Sequence, residues 1–436
     1  MPHTTAIRFA ELQDLLPKAV FAAEGLGFSD PTPVQVLAMP AILRGGDVLV
    51  NAQTGSGKTV AFALPVLQMV DAQRAARPLR GTSALAPLAL ILVPTRELAV
   101  QVGNVCVQIA RLLADHSKAR PLKIRTVFGG VSINPQMMAL RGGADLVVAT
   151  TGRLLDLLGC NALHLGHVQT LVLDEADRML DFGFDEELSQ VLKLLPARRQ
   201  SLLFSATLPD AVQGVANRML HRPERITIEA GPLTTPRIHQ RAIAVDPSKR
   251  TQLLRHLVQS QGLKRVLVFV ATKYAAHTVA EKLRKAQVAA APFHGDLAQS
   301  VRSQVLEDFK RGAWDVLVTT DLAARGIDVT ALSLVVNHDL PRSADDYTHR
   351  IGRTARAGTS GMAISFVSAA TEAHLQLIEK RHGMHLVREQ IAGFEPLEPA
   401  QTKPQAFGTV GLDPMGGIKG KRPSKKDKLR ALLAQA

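Results

Sequence analysis

The sequence predicts two tandem α/β domains, each a mostly parallel sheet covered by helices on both faces, joined by a short linker and followed by a basic tail. Three observations carry this expectation. Short runs rich in Val, Leu and Ile recur along the chain, and between them apolar residues fall at helical spacing. The pattern stops at Glu229-Ala-Gly-Pro-Leu-Thr-Thr-Pro236, which has little to bury, and then resumes. At roughly 100–200 residues per domain, 436 residues suit two or three domains, each able to bury a core without staples.

In the first domain, Val48–Asn51, Leu90–Val93, Ile124–Phe128, Leu146–Ala149, Leu171–Asp174 and Leu202–Phe204 read as buried strands. Leu98, Val102, Val105, Ile109 and Leu112 recur as on one helix face. Strands alternating with helices call for parallel pairing. The second domain shows the same alternation through Val266–Val270, Val316–Thr319, Leu334–Asn337 and Ala363–Val367. The expected limits are 1–229 for the first domain, 230–238 for the linker, 239–390 for the second domain and 391–436 for a tail read as disordered, rich in Pro, Gly and Lys.

Apolar residues make up 46% and charged residues 21%, a globular composition that excludes general disorder. Cys106 and Cys160 lie far apart with no CxxC pair, which excludes a disulfide framework and a structural zinc site. Runs such as Leu88–Val93 fall far short of the ~20 residues that span a bilayer. The first residues lack the apolar core of a signal peptide, so a soluble protein in a reducing compartment is expected. The net charge of +14 calls for a polyanion or an anionic membrane surface, or else only keeps the chain in solution.

Val48–Asn51 runs directly into Ala52-Gln-Thr-Gly-Ser-Gly-Lys-Thr59, and Val60–Leu64 can start a helix. Strand, Gly-rich loop and helix is the context of a phosphate loop. Thr54, Gly55, Ser56 and Gly57 would offer backbone amides to phosphates, Lys58 would reach the β and γ groups, and the Thr59 hydroxyl would ligate Mg²⁺. Ala52 stands where the general pattern has its first glycine. The strand Leu171–Asp174 ends in Asp174-Glu175-Ala176-Asp177, a carboxylate pair where open α/β sheets hold ligands. Asp174 suits the Mg²⁺ shell and Glu175 the attacking water.

Together these residues resemble the DEAD-box branch of the superfamily 2 RNA helicases, over about Phe9 to Val367. Gly27–Gln35 with Phe9 resembles the Q motif, and Pro94–Ala99, Gly129-Gly130 and Ser205–Thr207 resemble the elements that follow. His294–Asp296, Gln299 with Arg302, Thr320–Asp328 and His349–Arg356 resemble those of the second domain. Gly393–Pro396 and the basic tail are most like the bacterial RhlE-like subgroup. Two positions depart from the family pattern: Thr151 replaces a proline, and Ala355 a common glycine.

The resemblance implies tandem RecA-like domains and an RNA-stimulated ATPase using ATP and Mg²⁺. Gln35 would read adenine, with Phe28 as stacking face or core filler, and Asp328 would touch the ribose. Arg353 and Arg356 would act as arginine fingers with Lys58, Asp174 and Glu175 in catalysis. Arg96, Gly130, Thr150 and Arg153 would hold RNA in the first domain, and Gln299, Arg302 and Thr320 in the second. Asp177, Ser205 and Thr207 would couple the two activities, or the hydroxyls would only cap a turn. The implied partner is RNA of any sequence, as single strands and short duplexes, with ribonucleoprotein or RNA-decay partners. A cytoplasmic monomer without membrane contact is expected. An ATP-gated RNA clamp shares every motif. The tail's seven basic residues from Lys419 to Arg430 either tether RNA or only solubilise.

Overall fold

A computed structural model describes residues 25–27, 30–53, 55–76, 86–118, 120–228, 238–324, 332–355 and 361–397. Two seven-stranded sheets, every strand pair parallel, form the centres of two domains. The first sheet is built from β1 (Val48–Asn51), β2 (Ala89–Leu92), β3 (Ile124–Val127), β4 (Leu146–Ala149), β5 (Thr170–Leu173), β6 (Gln200–Ser205) and β7 (Glu224–Thr227), in the order β3-β4-β2-β5-β6-β1-β7. Its helices are α1 (Pro33–Leu43), α2 (Lys58–Ala75), α3 (Arg96–Ser117), α4 (Ile133–Arg141), α5 (Thr151–Gly159), α6 (Ala176–Asp181), α7 (Asp185–Leu194) and α8 (Asp210–Met219).

The second sheet contains β8 (Ile238–Ala244), β9 (Val266–Phe269), β10 (Ala290–Phe293), β11 (Val316–Thr319), β12 (Leu334–Asn337), β13 (Gly361–Val367) and β14 (Arg388–Glu389), ordered β10-β11-β9-β12-β13-β8-β14. Around it lie α9 (Arg250–Ser260), α10 (Lys273–Lys285), α11 (Gln299–Arg311), α12 (Asp321–Ala324), α13 (Ala344–Ile351) and α14 (Glu372–His382).

The pleat of each strand divides its side chains between two cores. Val48 and Val50 of β1 enter a cluster with Phe62, Val102 and Ile109, whereas Leu49 enters the opposite one with Leu154, Met179 and Val212. With both faces covered, the central strands need no polar alternation, which is why their apolar runs were legible. Four strands were not. Exposed β7 forms one edge of the first sheet; β8, β10 and β14 belong to the second. β10 carries Pro292, tolerable because this strand is itself an edge.

Three expectations need correcting or bounding. Domain-two packing runs past residue 390: Ile391 and Phe394 lie against the core, the Phe394 ring is 5.5 Å from that of His256, and the Leu397 amide donates to Asp246. Most of the expected linker, and the tail from residue 398, lie outside the described residues. One helix segment, Arg96–His116, is long and apolar enough to cross a membrane by length and composition, which the count of unbroken apolar runs overlooked; half of it is buried in the first domain. Cys106 is enclosed, and burial pushes its thiol up to about 12, while Cys160 is exposed and free.

Candidate functional site

In both domains the polar residues of interest leave the sheet at the carboxyl ends of the strands. After β1 the chain turns through Gly55 and Gly57, both at positive φ, into α2. Gly57 has φ +93°, and a Cβ there would stand 2.6 Å from the Gln35 amide nitrogen, so glycine is required twice over. Gln35 is buried: its Oε1 accepts from the Thr32 amide at 2.9 Å and its Nε2 donates to the Gly57 carbonyl at 3.2 Å. The carboxamide expected to read adenine is therefore engaged in capping α1 and latching it to the phosphate loop. Lys58 lies back over its own loop, with Nζ donating to the Ala52 carbonyl at 2.8 Å. Phe28 and Thr54 lie outside the described residues.

β5 delivers Asp174, only 2% exposed, whose Oδ1 accepts from the Glu175 amide at 2.9 Å. Burial pushes this carboxyl up to about 7, against the pull of Lys58, with Glu175 and Asp177 adding repulsion. Glu175 takes a left-handed backbone at φ +52°, a strained conformation for a side-chain-bearing residue. Arg178, one turn along α6, holds its carboxylate at 2.9 Å. Arg178 was missed in the sequence; its signal was the i,i+3 spacing from Glu175.

Asp177 ties this turn to the end of β6. The Thr207 amide and hydroxyl donate to its Oδ2 at 3.1 and 3.0 Å, and its own amide donates to the Ser205 hydroxyl oxygen at 3.2 Å. Ser205 in turn donates to the Thr207 carbonyl at 2.7 Å. A shift of either segment must therefore be felt by the other.

The two domains meet across a cavity of about 410 Å³. Arg96, Thr150 and Arg153 line it from the first domain, and Lys273, Asp296 and Arg302 from the second. Gly130, at φ +80°, lets the Arg96 guanidinium lie where a Cβ would otherwise fall, 1.9 Å from Nη1. Arg153 donates to the Val131 carbonyl at 2.7 Å, and Thr150 caps α5. Thr151 occupies the first helical position, where proline is also at home, and is buried there.

Arg302, expected to hold RNA, instead spans the cleft to Glu97, with Nη2 2.7 Å from Oε1. The N–H does not point along that line, so charge rather than an aligned hydrogen bond carries the contact. Both side chains are at most a tenth exposed. Gln299 begins α11 beside Arg302, and Thr320 follows β11. Arg353 is buried at the end of α13, whereas Arg356 and Asp328 lie outside the described residues. Arg350, not singled out in the sequence, makes a two-pronged ion pair with Asp321 at 2.5 and 2.7 Å under the ring of Phe269.

The DEAD/DEAH box helicase family profile matches residues 32–215, and the helicase conserved C-terminal domain matches 248–358. A DEAD-box ATP-dependent RNA helicase CshA of Geobacillus kaustophilus is 38% identical over 372 residues, covering 85% of this chain and 76% of that protein. This chain belongs to the DEAD-box helicases. A CshA of Streptococcus pneumoniae is 39% identical, covering 92% of this chain and 72% of its own. Among solved structures, Mss116p bound to single-stranded RNA and AMP-PNP aligns with a TM-score of 0.77 at 26% identity, over 92% of this chain and 81% of that one. Dbp5 of S. cerevisiae, bound to RNA and ADP BeF3, gives 0.73 at 29% identity over 86% and 93%.

For this DEAD-box chain two substitutions test the geometry. Glu97→Gln leaves the Arg302 charge buried without its partner, a loss of about 3 kcal/mol to the closed arrangement. Small-angle scattering should show a larger radius of gyration, and an unchanged profile would mean that the pair does not hold the domains together. Ala355 sits at φ +56°, the region its missing glycine would occupy without cost. Ala355→Gly should stabilise the second domain by about 1 kcal/mol, seen as a rise of roughly 3 °C in its thermal midpoint. No rise would show that the surroundings already absorb the strain.

Proposed function

We propose that this chain is an RNA-stimulated ATPase that separates short RNA duplexes locally. The observation that carries the reading is the shared cleft, where cationic and hydroxyl side chains from both domains face one cavity within reach of the Asp177 linkage. Such groups suit phosphate and 2′-hydroxyl contacts, which hold a strand without reading its bases. Family membership and the RNA-bound structural neighbours support it.

In this reading Lys58 exchanges the Ala52 carbonyl for the nucleotide's phosphates, and Glu175, held by Arg178, orients the attacking water. Gln35 reads adenine only by exchanging its present partners. Asp174 and Thr59 suit Mg²⁺: an enclosed carboxylate that resists ionisation favours a divalent neighbour. The ion, when bound, offsets charge on the transferring phosphate. Arg353 and Arg356 complete the site from the second domain, so hydrolysis waits for closure. ATP and RNA each favour the closed form and strengthen each other's binding.

A cytoplasmic monomer acting on RNA of any sequence belongs to the same proposal. The relatives reported above carry the name CshA, whereas an RhlE-like affiliation rests on Gly393–Pro396, where Phe394 also packs on His256.

ATPase assays with RNA, with DNA as control and with Glu175→Gln as blank, test the central claim. Stimulation by RNA alone is expected, together with strand displacement of a short duplex. A rate indifferent to RNA would refute it, and ATPase without displacement would favour a clamp. Binding of nucleotide with Mg²⁺ should also release protons. With its carboxyl near 7, Asp174 is about half protonated at neutral pH. A nearby cation lowers that value, so up to about half a proton leaves at pH 7 and less at higher pH. Calorimetry in buffers of different ionisation enthalpy reads this directly, and Asp174→Asn should abolish it. Zero release from the unsubstituted chain would mean that Asp174 is already ionised.

A further inference from the structure

Only 4% of the residues are aromatic, yet one of the largest rings stands in water at the rim of the interdomain cleft. Lys273, the first residue of α10, lines the cavity and pairs with Asp296 at 2.5 Å. Tyr274 follows it and is 82% exposed, more than any other aromatic large side chain among the described residues. The chain's other tyrosine, Tyr347, shows the ordinary fate of such a ring: it is buried, with its hydroxyl donating to Gln240 at 2.9 Å.

The surroundings of Tyr274 distinguish it from a stray surface ring. His277, one turn on, shares its helix face. The His277 ring meets that of His294 edge-on, with centroids 4.6 Å apart. His294 is 3% exposed and leads into Gly295 and Asp296, which line the same cavity. An aromatic row therefore runs from the α10 rim toward the cleft wall. The backbone beneath it is fixed, because the Thr272 hydroxyl accepts from the Ala275 amide at 3.1 Å and Ala276, Val279 and Ala280 are buried. A ring on a rigid, capped turn gives up little freedom when a flat partner settles on it.

We propose that Tyr274, flanked by His277, is a stacking platform for one nucleobase of the RNA strand where that strand crosses the domain-two edge of the cleft. The proposal rests on the RNA reading above and adds a base contact to a grip otherwise made on the backbone. Every base offers a π face, so the platform raises affinity without selecting a sequence. It also fixes the register of the strand, since one nucleotide must lie over the ring.

The test uses the full chain, a non-hydrolysable ATP analogue and a short fluorescein-labelled oligouridylate carrying one abasic position moved along the strand. In the unsubstituted protein, anisotropy should show a loss of roughly tenfold in affinity when the abasic position falls at one particular place. Tyr274→Ala should bind the intact strand roughly tenfold more weakly and lose the position dependence. Tyr274→Phe should restore both. A 5-iodouridine at that place should photocrosslink to the peptide containing Tyr274. If Tyr274→Ala binds and scans like the unsubstituted chain, the platform is refuted while the RNA reading stands. If the unsubstituted chain binds no RNA, both fall.

Discussion

A parallel sheet covered on both faces leaves its functional side chains one way out, at the carboxyl ends of the strands. Every central strand here is apolar on both sides, so a charged group within it would be buried without partners. The phosphate loop after β1, the carboxylates after β5, the hydroxyls after β6, and the loops after β10 and β11 all follow from that constraint. Two such sheets in tandem present two functional edges, and a single cleft arises where the edges face each other.

Charge then decides how the edges meet. Glu97 and Arg302 each stand at the start of a helix that leaves its sheet, and each is nearly enclosed. Neither could remain buried and charged alone without a large desolvation cost, whereas together they neutralise each other. The pair also occupies an arginine that motif comparison assigns to RNA. Domain contact and strand binding therefore draw on the same side chain, which offers a physical route for RNA to alter the interface.

Inside the first domain, Asp177 takes the corresponding part. One carboxylate receives the Thr207 amide and hydroxyl while its own amide donates to Ser205, binding the acidic turn to the end of β6. Strain sits close by, in the left-handed Glu175, and again in Ala355 near the second domain's arginines. Both strained positions adjoin residues assigned to hydrolysis, where a fixed, unusual backbone aims a side chain that a relaxed turn would leave free.

The sequence by itself determined the fold class, the strands that are apolar on both faces, and the motifs of the nucleotide site, because burial and loop chemistry act on neighbours in the chain. It also flagged Ala355, since a glycine's absence can be read without coordinates. Edge strands such as β7 and β10 were illegible: half-exposed or proline-bearing segments show no apolar run, and only pairing makes them strands. Tertiary structure alone decided the occupation of Gln35, the Arg178 clamp on Glu175, the Arg302–Glu97 bridge and the exposure of Tyr274. These are questions of which partner stands within a few ångströms. Local propensity carries no information about contacts between segments about 200 residues apart, and those contacts set which polar groups are free to meet a ligand.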